Sequence, residues 1–193
     1  MSIRICRLTP ELLDDYLYFF ENVAHTDNKE WDRCYCLNYC SEANAGRDFS
    51  SQDVRREYAI KYVKSGKIQG YLAYCENKVV GWCNANRKSD CLKCGGWQLI
   101  SKDDKAYDTN LKIKSIFCFT VAPDMRRKGI ATQLLSCVCE EAIQDGFDYI
   151  EAYPNKRESN VYYDYVGPLD LYKKFGFALY KETDQRFVMR KRL

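Results

Sequence analysis

Apolar residues recur along this chain with two alternating periods, one suited to strands and one to helices. Ile3 to Arg7 reads as a first strand. Thr9-Pro10-Glu11 then supplies a cap and a first-turn proline for a helix running to about Phe20, with Tyr16, Phe19 and Phe20 toward the core. Residues 22–50 are polar and irregular apart from Trp31, Cys34, Tyr35, Cys36, Tyr39 and Cys40. Helical spacing returns over 52–65, with Val54, Tyr58, Ile60 and Val63 as the expected apolar positions. Two apolar runs, 70–75 and 78–84, flank Glu76-Asn77 in a hairpin pattern, and both are expected beside the strand that follows. Residues 86–112 form a long polar connection, predicted as a loop or a short hairpin.

The second half is more sharply patterned. Residues 114–121 are dense in aromatic and β-branched side chains and predict a buried strand, which Pro123 ends. Ile130, Leu134, Leu135, Val138 and Ala142 follow at helical spacing and Gly146 terminates them, so a helix is predicted from about Lys128 to Asp145. Tyr149-Ile150-Glu151-Ala152-Tyr153 reads as a strand stopped by Pro154, and 155–167 as irregular chain. Pro168 fits the first turn of a short helix carrying Tyr172 and ending at Gly176, before a last strand over 186–190.

The junction at 121–132 carries the clearest chemistry. A helix start presents unpaired N–H groups and the positive end of the peptide dipole, so an anion gains hydrogen bonds there without a dedicated side chain. Gly129 removes the side chain that would keep a phosphate from the backbone, and Arg126, Arg127 and Lys128 add positive charge. The spacing therefore predicts a site for a pyrophosphate.

Composition narrows the setting. The 193 residues, 46% hydrophobic and 15% aromatic, suit one domain spanning 1–193. A net charge of +3 with interspersed signs points to neither nucleic acid nor an anionic membrane as partner. The first residues lack the apolar core of a signal peptide and no apolar run reaches the ~20 residues of a membrane helix, so a cytoplasmic protein is expected. Eleven cysteines, an odd number scattered over predicted elements, fit reduced thiols better than a disulfide scaffold.

Arg126-x-x-Gly129-x-Ala131 after a hydrophobic strand resembles the acyl-CoA signature of the GNAT superfamily of N-acyltransferases, and Leu171-Tyr172-x-x-x-Gly176-Phe177 resembles the end of that family's last conserved helix. The resemblance covers roughly residue 55 to the C-terminus. It implies an α/β fold in which a mixed, mostly antiparallel sheet carries helices on both faces. Two central parallel strands, ending near Val121 and Tyr153, would splay around acetyl-CoA as co-substrate. Phe119, Thr120 and Val121 would pair with the pantetheine arm. Arg126, Arg127, Lys128, Gly129, Ile130, Ala131 and Thr132 would meet the pyrophosphate.

The implied activity is acetyl transfer to a primary amine by direct attack on the thioester. Tyr172 would be general acid toward the departing thiolate, since a thiol of pKa about 8.5 and a tyrosine of about 10 lie within reach of each other. Glu151 is a candidate base through water, and His25 is the sole histidine. Trp31, Tyr35, Tyr153 and Tyr165 are expected around the acceptor. Tyr162, Tyr163 and Tyr165 either line that pocket or cover the sheet. Tyr165 and Pro168 stand where the family often has asparagine and alanine, so that helix should start late.

The acceptor stays open among antibiotic amines, polyamines, amino acids, peptide N-termini and lysines, and homodimers are common in the superfamily. Two rival readings remain. One is a non-catalytic acyl-CoA sensor or partner-binding module. The other is a zinc-stapled interaction domain, which needs Cys34, Cys36, Cys91 and Cys94 to converge.

Overall fold

The computed structural model describes residues 2–40, 49–100, 110–156 and 164–193, with the backbone alone for 98–100. Among them, seven strands form one sheet: β1 (Ile3–Arg7), β2 (Gly70–Cys75), β3 (Lys78–Arg87), β4 (Ile113–Val121), β5 (Tyr149–Ala152), β6 (Ala178–Glu182) and β7 (Phe187–Arg192). Their order is β1-β2-β3-β4-β5-β7-β6, antiparallel throughout except for the parallel pair β4–β5. The expected mixed, mostly antiparallel sheet is therefore present. Only β3 of the hairpin touches β4; β2 is held one strand away, against β1. Glu76 and Asn77 both adopt left-handed backbone, φ 49° and 63°, the geometry that closes a two-residue hairpin with the twist of its strands.

The described helices are α1 (Leu13–Asn22), α2 (Gln52–Lys64), α3 (Lys88–Cys91), α4 (Gly95–Ile100), α5 (Ile130–Gln144) and α6 (Leu169–Lys174). On one face of the sheet, Tyr16, Phe19 and Phe20 of α1 and Ala59, Tyr62 and Val63 of α2 pack with Trp82, Phe117 and Tyr153. On the other, Leu134, Leu135 and Val138 of α5 and Tyr172 of α6 pack with Ala73, Ile116 and Ile150. Val54, Tyr58 and Ile60, expected to be apolar anchors of α2, are only partly buried. The connection after β3 holds α3 and α4 where a loop or hairpin was predicted.

Two local features open the sheet. β4 pairs with β5 only from Ile113↔Tyr149 to Ile116↔Ala152, and the remaining five residues of β4 have no strand on that side among the described residues. At the point of departure the register with β3 slips, with Cys118 opposite Asn84 and Ile116 opposite Ala85, which leaves Phe117 as the extra residue of a bulge. A bulge bends and twists its strand, so β4 leaves its parallel neighbour where the gap begins.

Candidate active site

The chain leaves β4 through a 3-10 turn at Pro123–Met125. Arg127 and Gly129 then adopt left-handed backbone, φ 60° and 80°. That conformation costs a non-glycine residue such as Arg127 about 1–2 kcal/mol. The left-handed residue at 129 postpones α5 to Ile130, two positions after the predicted start. Its first intrahelical bond runs from Gln133 N–H to the Gly129 carbonyl, and the amides of Arg127 to Thr132 donate to no carbonyl among the described residues. A Cβ at Gly129 would meet nothing within 4 Å, so this stretch of backbone is approachable from outside.

These amides border a cavity of about 1080 Å³ that runs from the mouth of α5 along the open edge of β4. Phe119, Thr120, Val121, Arg126, Arg127, Gly129, Ile130, Ala131 and Thr132 line it, so nine of the ten predicted coenzyme residues come together. Lys128 does not line it; its Nζ lies 3.6 Å from Met125 Sδ on the exposed side of the turn. The Arg126 guanidinium is already engaged, bonding bidentately to Asp27, with Nη2 3.1 Å from Oδ1, and donating from Nε to the Val121 carbonyl. That cation holds the Asp27 carboxyl below the ordinary range.

Of the predicted acceptor residues, Trp31 and Tyr165 line the cavity with ring centroids 5.3 Å apart. Arg186 braces this wall, its Nη1 donating to the Tyr153 carbonyl at 3.0 Å and its Nη2 to the Tyr165 hydroxyl at 3.4 Å. Tyr35 and Tyr153 do not line it. Tyr35 packs its ring on Phe20 and gives its hydroxyl to Glu21. Tyr153 stacks on Phe117 in the core. Tyr162 and Tyr163 lie outside the described residues.

Neither predicted catalytic side chain lines the cavity. Tyr172 is fully buried and its hydroxyl donates to the Val166 carbonyl at 2.5 Å. Burial drives its pKa well above the tyrosine range. The hydroxyl does sit directly behind the cavity wall, since a Cβ on Gly167 would come within 2.7 Å of it. Glu151 is fully buried with both oxygens taken. Oε2 accepts from Lys88 Nζ and from the Tyr153 hydroxyl, each at 2.9 Å, and Oε1 accepts from Arg190 Nε at 2.9 Å and Nη2 at 2.6 Å. Those donors leave Glu151 joining β5 to β7 and to α3, away from the cavity where a base toward the amine was expected to stand.

A second group of side chains on the cavity wall was not expected to lie together. His25, Cys34, Cys36 and Cys118 all line the cavity, with His25 Nε2 3.4 Å from Cys34 Sγ. The turn that carries Cys34 is bent sharply, with Arg33, Tyr35 and Cys36 all in left-handed backbone, φ 53°, 47° and 48°. It is held in place by Arg55, which donates to the carbonyls of Asp32 and Arg33, and by Tyr16, which donates to that of Tyr35. Nothing at fixed spacing announces the His25–Cys34 pair. The only signal is that both fall in the one aromatic, cysteine-rich stretch between predicted helices.

Cys91 and Cys94 belong elsewhere. They interact with each other beside Cys40, whose thiol burial pushes up to about 12 and which accepts from Asn84 and Asn86. The four thiols of the zinc reading therefore divide between two places, and among the described residues no group of three or more His, Cys, Asp or Glu side chains is arranged to hold a metal ion.

The model of the acetyltransferase (GNAT) family matches residues 31–177. No curated protein sequence matches the chain significantly. Solved structures with the same fold include the PaiA N-acetyltransferase of Thermoplasma acidophilum in complex with coenzyme A, at 16% identity and a TM-score of 0.52 over 100% of both chains. The Drosophila melanogaster polyamine N-acetyltransferase, which forms N-acetylagmatine, aligns over 100% of both chains at 13% identity and a TM-score of 0.60. The ribosomal-protein-alanine N-acetyltransferase of Brucella melitensis does so at 16% and 0.56. No helix among the described residues is long and apolar enough to cross a membrane.

Proposed function

Because the chain belongs to the GNAT acetyltransferase family, whose co-substrate is acetyl-CoA, we propose that it transfers the acetyl group to a primary amine inside the cavity between β4 and α6. The observation that carries this reading is the meeting of two unsatisfied stretches of backbone in one cavity. Among the described residues, the edge of β4 beyond Ile116 has no strand partner on the β5 side, and the amides from Arg127 to Thr132 have no carbonyl acceptor. A pantetheine arm carries amides that suit the first, and a pyrophosphate suits the second. The volume is that of a site for a large ligand.

The amine would enter past Trp31 and Tyr165. An aromatic wall of this kind favours a cationic or flat acceptor, and the polyamine and agmatine acceptors of a structural neighbour are of that type. The neutral amine attacks the thioester carbonyl and the CoA thiolate leaves. Tyr172 remains our choice for its proton donor, on motif position and on a hydroxyl one residue behind the cavity wall. In that role the tyrosine must exchange its bond to the Val166 carbonyl for one to the departing sulfur.

The same hydroxyl bond favours a second reading, an acyl-CoA sensor without turnover, because it leaves the acid satisfied inside the core. Free-thiol release from acetyl-CoA over a panel of primary amines, run beside calorimetric titration with CoA, separates the two. Release with any amine supports the enzyme, binding without release supports the sensor, and absence of CoA binding defeats both.

A further inference from the structure

We propose that Cys34, with His25 as its base, is a second acyl acceptor in this cavity, taking the acyl group from acyl-CoA to form a protein thioester when no amine is present. The inference rests on the acyl-CoA reading above and adds to it a covalent site. Three observations converge on it.

First, the pair has the geometry of an activated nucleophile: thiol and imidazole within hydrogen-bond reach, both partly exposed, both on the wall of the cavity assigned to the thioester. Second, the thiol is held by a turn in which three non-glycine residues out of four, Arg33, Tyr35 and Cys36, are left-handed. Such strain persists only where the surroundings over-determine it, as the hydrogen bonds from Arg55 and Tyr16 do here. Third, the thiols of the cavity are not equivalent. The Cys36 thiol first, and then His25, draw Cys34 well below the ordinary cysteine range against the effect of burial, whereas contacts with Cys118 and Cys34 push Cys36 well above it. Thiols that serve only as packing, such as Cys83 in the sheet and Cys139 in α5, are pushed up by burial.

In the proposed step, Cys34 Sγ attacks the thioester carbonyl carbon and its proton passes to His25 Nε2. The bond from that carbon to the CoA sulfur breaks, and the sulfur takes the proton from His25. One thioester is exchanged for another between thiols, with no oxidant consumed, so added CoA reverses the reaction.

The test is intact-mass and peptide-mapping spectrometry of the whole protein after incubation with acetyl-CoA and no amine. The expected result is one acetyl group on the Cys34 peptide, removed by neutral hydroxylamine or by excess CoA, and absent from protein unfolded in urea before incubation. His25→Asn should slow its formation roughly a hundredfold, the worth of a positioned base, and Cys34→Ala should abolish it, with a cooperative thermal melt showing that each variant is folded. Binding of CoA without an adduct, an adduct mapped to Cys36 or Cys118, or equal labelling of unfolded protein overturns the proposal and leaves the acetyl-CoA reading standing. Loss of CoA binding by the unaltered protein would instead overturn the reading beneath both.

Discussion

Glu151→Gln separates two roles for one side chain. The carboxylate lies in the core between Lys88 and Arg190, with the Tyr153 hydroxyl as a further donor, and both cations are themselves largely out of water. Glutamine keeps the shape but replaces one acceptor with an NH2 donor, which must face either Lys88 and Tyr153 or Arg190. It also takes the charge of Glu151 away from the two buried cations that it pairs with. Breaking a buried pair this way costs about 3–5 kcal/mol. For a chain of this size each kcal/mol lowers Tm by about 2–4 °C, so a drop of roughly 6–20 °C is expected. Differential scanning calorimetry gives the Tm, and titration with CoA should give an affinity within about twofold of the unaltered protein, because no residue of the network lines the cavity. A general base would behave oppositely, with turnover falling about 10²–10⁴-fold at unchanged Tm. A melting temperature within about 2 °C of the parent, together with that loss of turnover, refutes the structural role.

Three further substitutions probe the cavity. Gly129→Val places a β-branched side chain at φ 80° over the open amides; it should weaken CoA binding about tenfold or more, the worth of one charge-assisted hydrogen bond, as read by calorimetry. Tyr172→Phe strands the Val166 carbonyl at a cost of about 1–3 kcal/mol and, if the hydroxyl is the acid, lowers kcat roughly a hundredfold with little change in CoA affinity. Unchanged kcat would remove that assignment. Trp31→Ala should raise KM for a cationic amine roughly two- to tenfold and leave KM for acetyl-CoA nearly constant; an equal rise in both would show that the indole serves the coenzyme instead.

The strand, the glycine-containing turn and the long helix around residues 113–144 were legible because each is dictated locally, by β-branched residues, by a glycine and by an apolar stripe of helical period, whereas the left-handed backbone of Arg127 and Gly129, which delays the helix to Ile130, was not. What the sequence concealed lies in contacts between distant residues. Tyr172 was placed correctly on its helix, yet whether its hydroxyl faces a cavity or the Val166 carbonyl depends on how 164–168 folds over it. Glu151 meets Lys88 across a separation of 63 residues, and no pattern near either announces the other. β6 escaped notice because its residues are mostly exposed, so it lacks the alternation of a half-buried strand. His25 and Cys34 were visible as residue types, but the bend that joins them is held by Arg55 and Tyr16, both outside that stretch.

The carboxylate of Asp27 occupies the Arg126 guanidinium, a group on which an incoming diphosphate would otherwise draw. An internal ligand of this kind competes at millimolar or higher effective concentration, so stray inorganic phosphate at lower levels is turned away. A coenzyme that also fills the cavity has the additional free energy to displace it. Asp27 is two residues from His25, so this ion pair ties the basic turn after β4 to the stretch of chain that carries the His25–Cys34 contact.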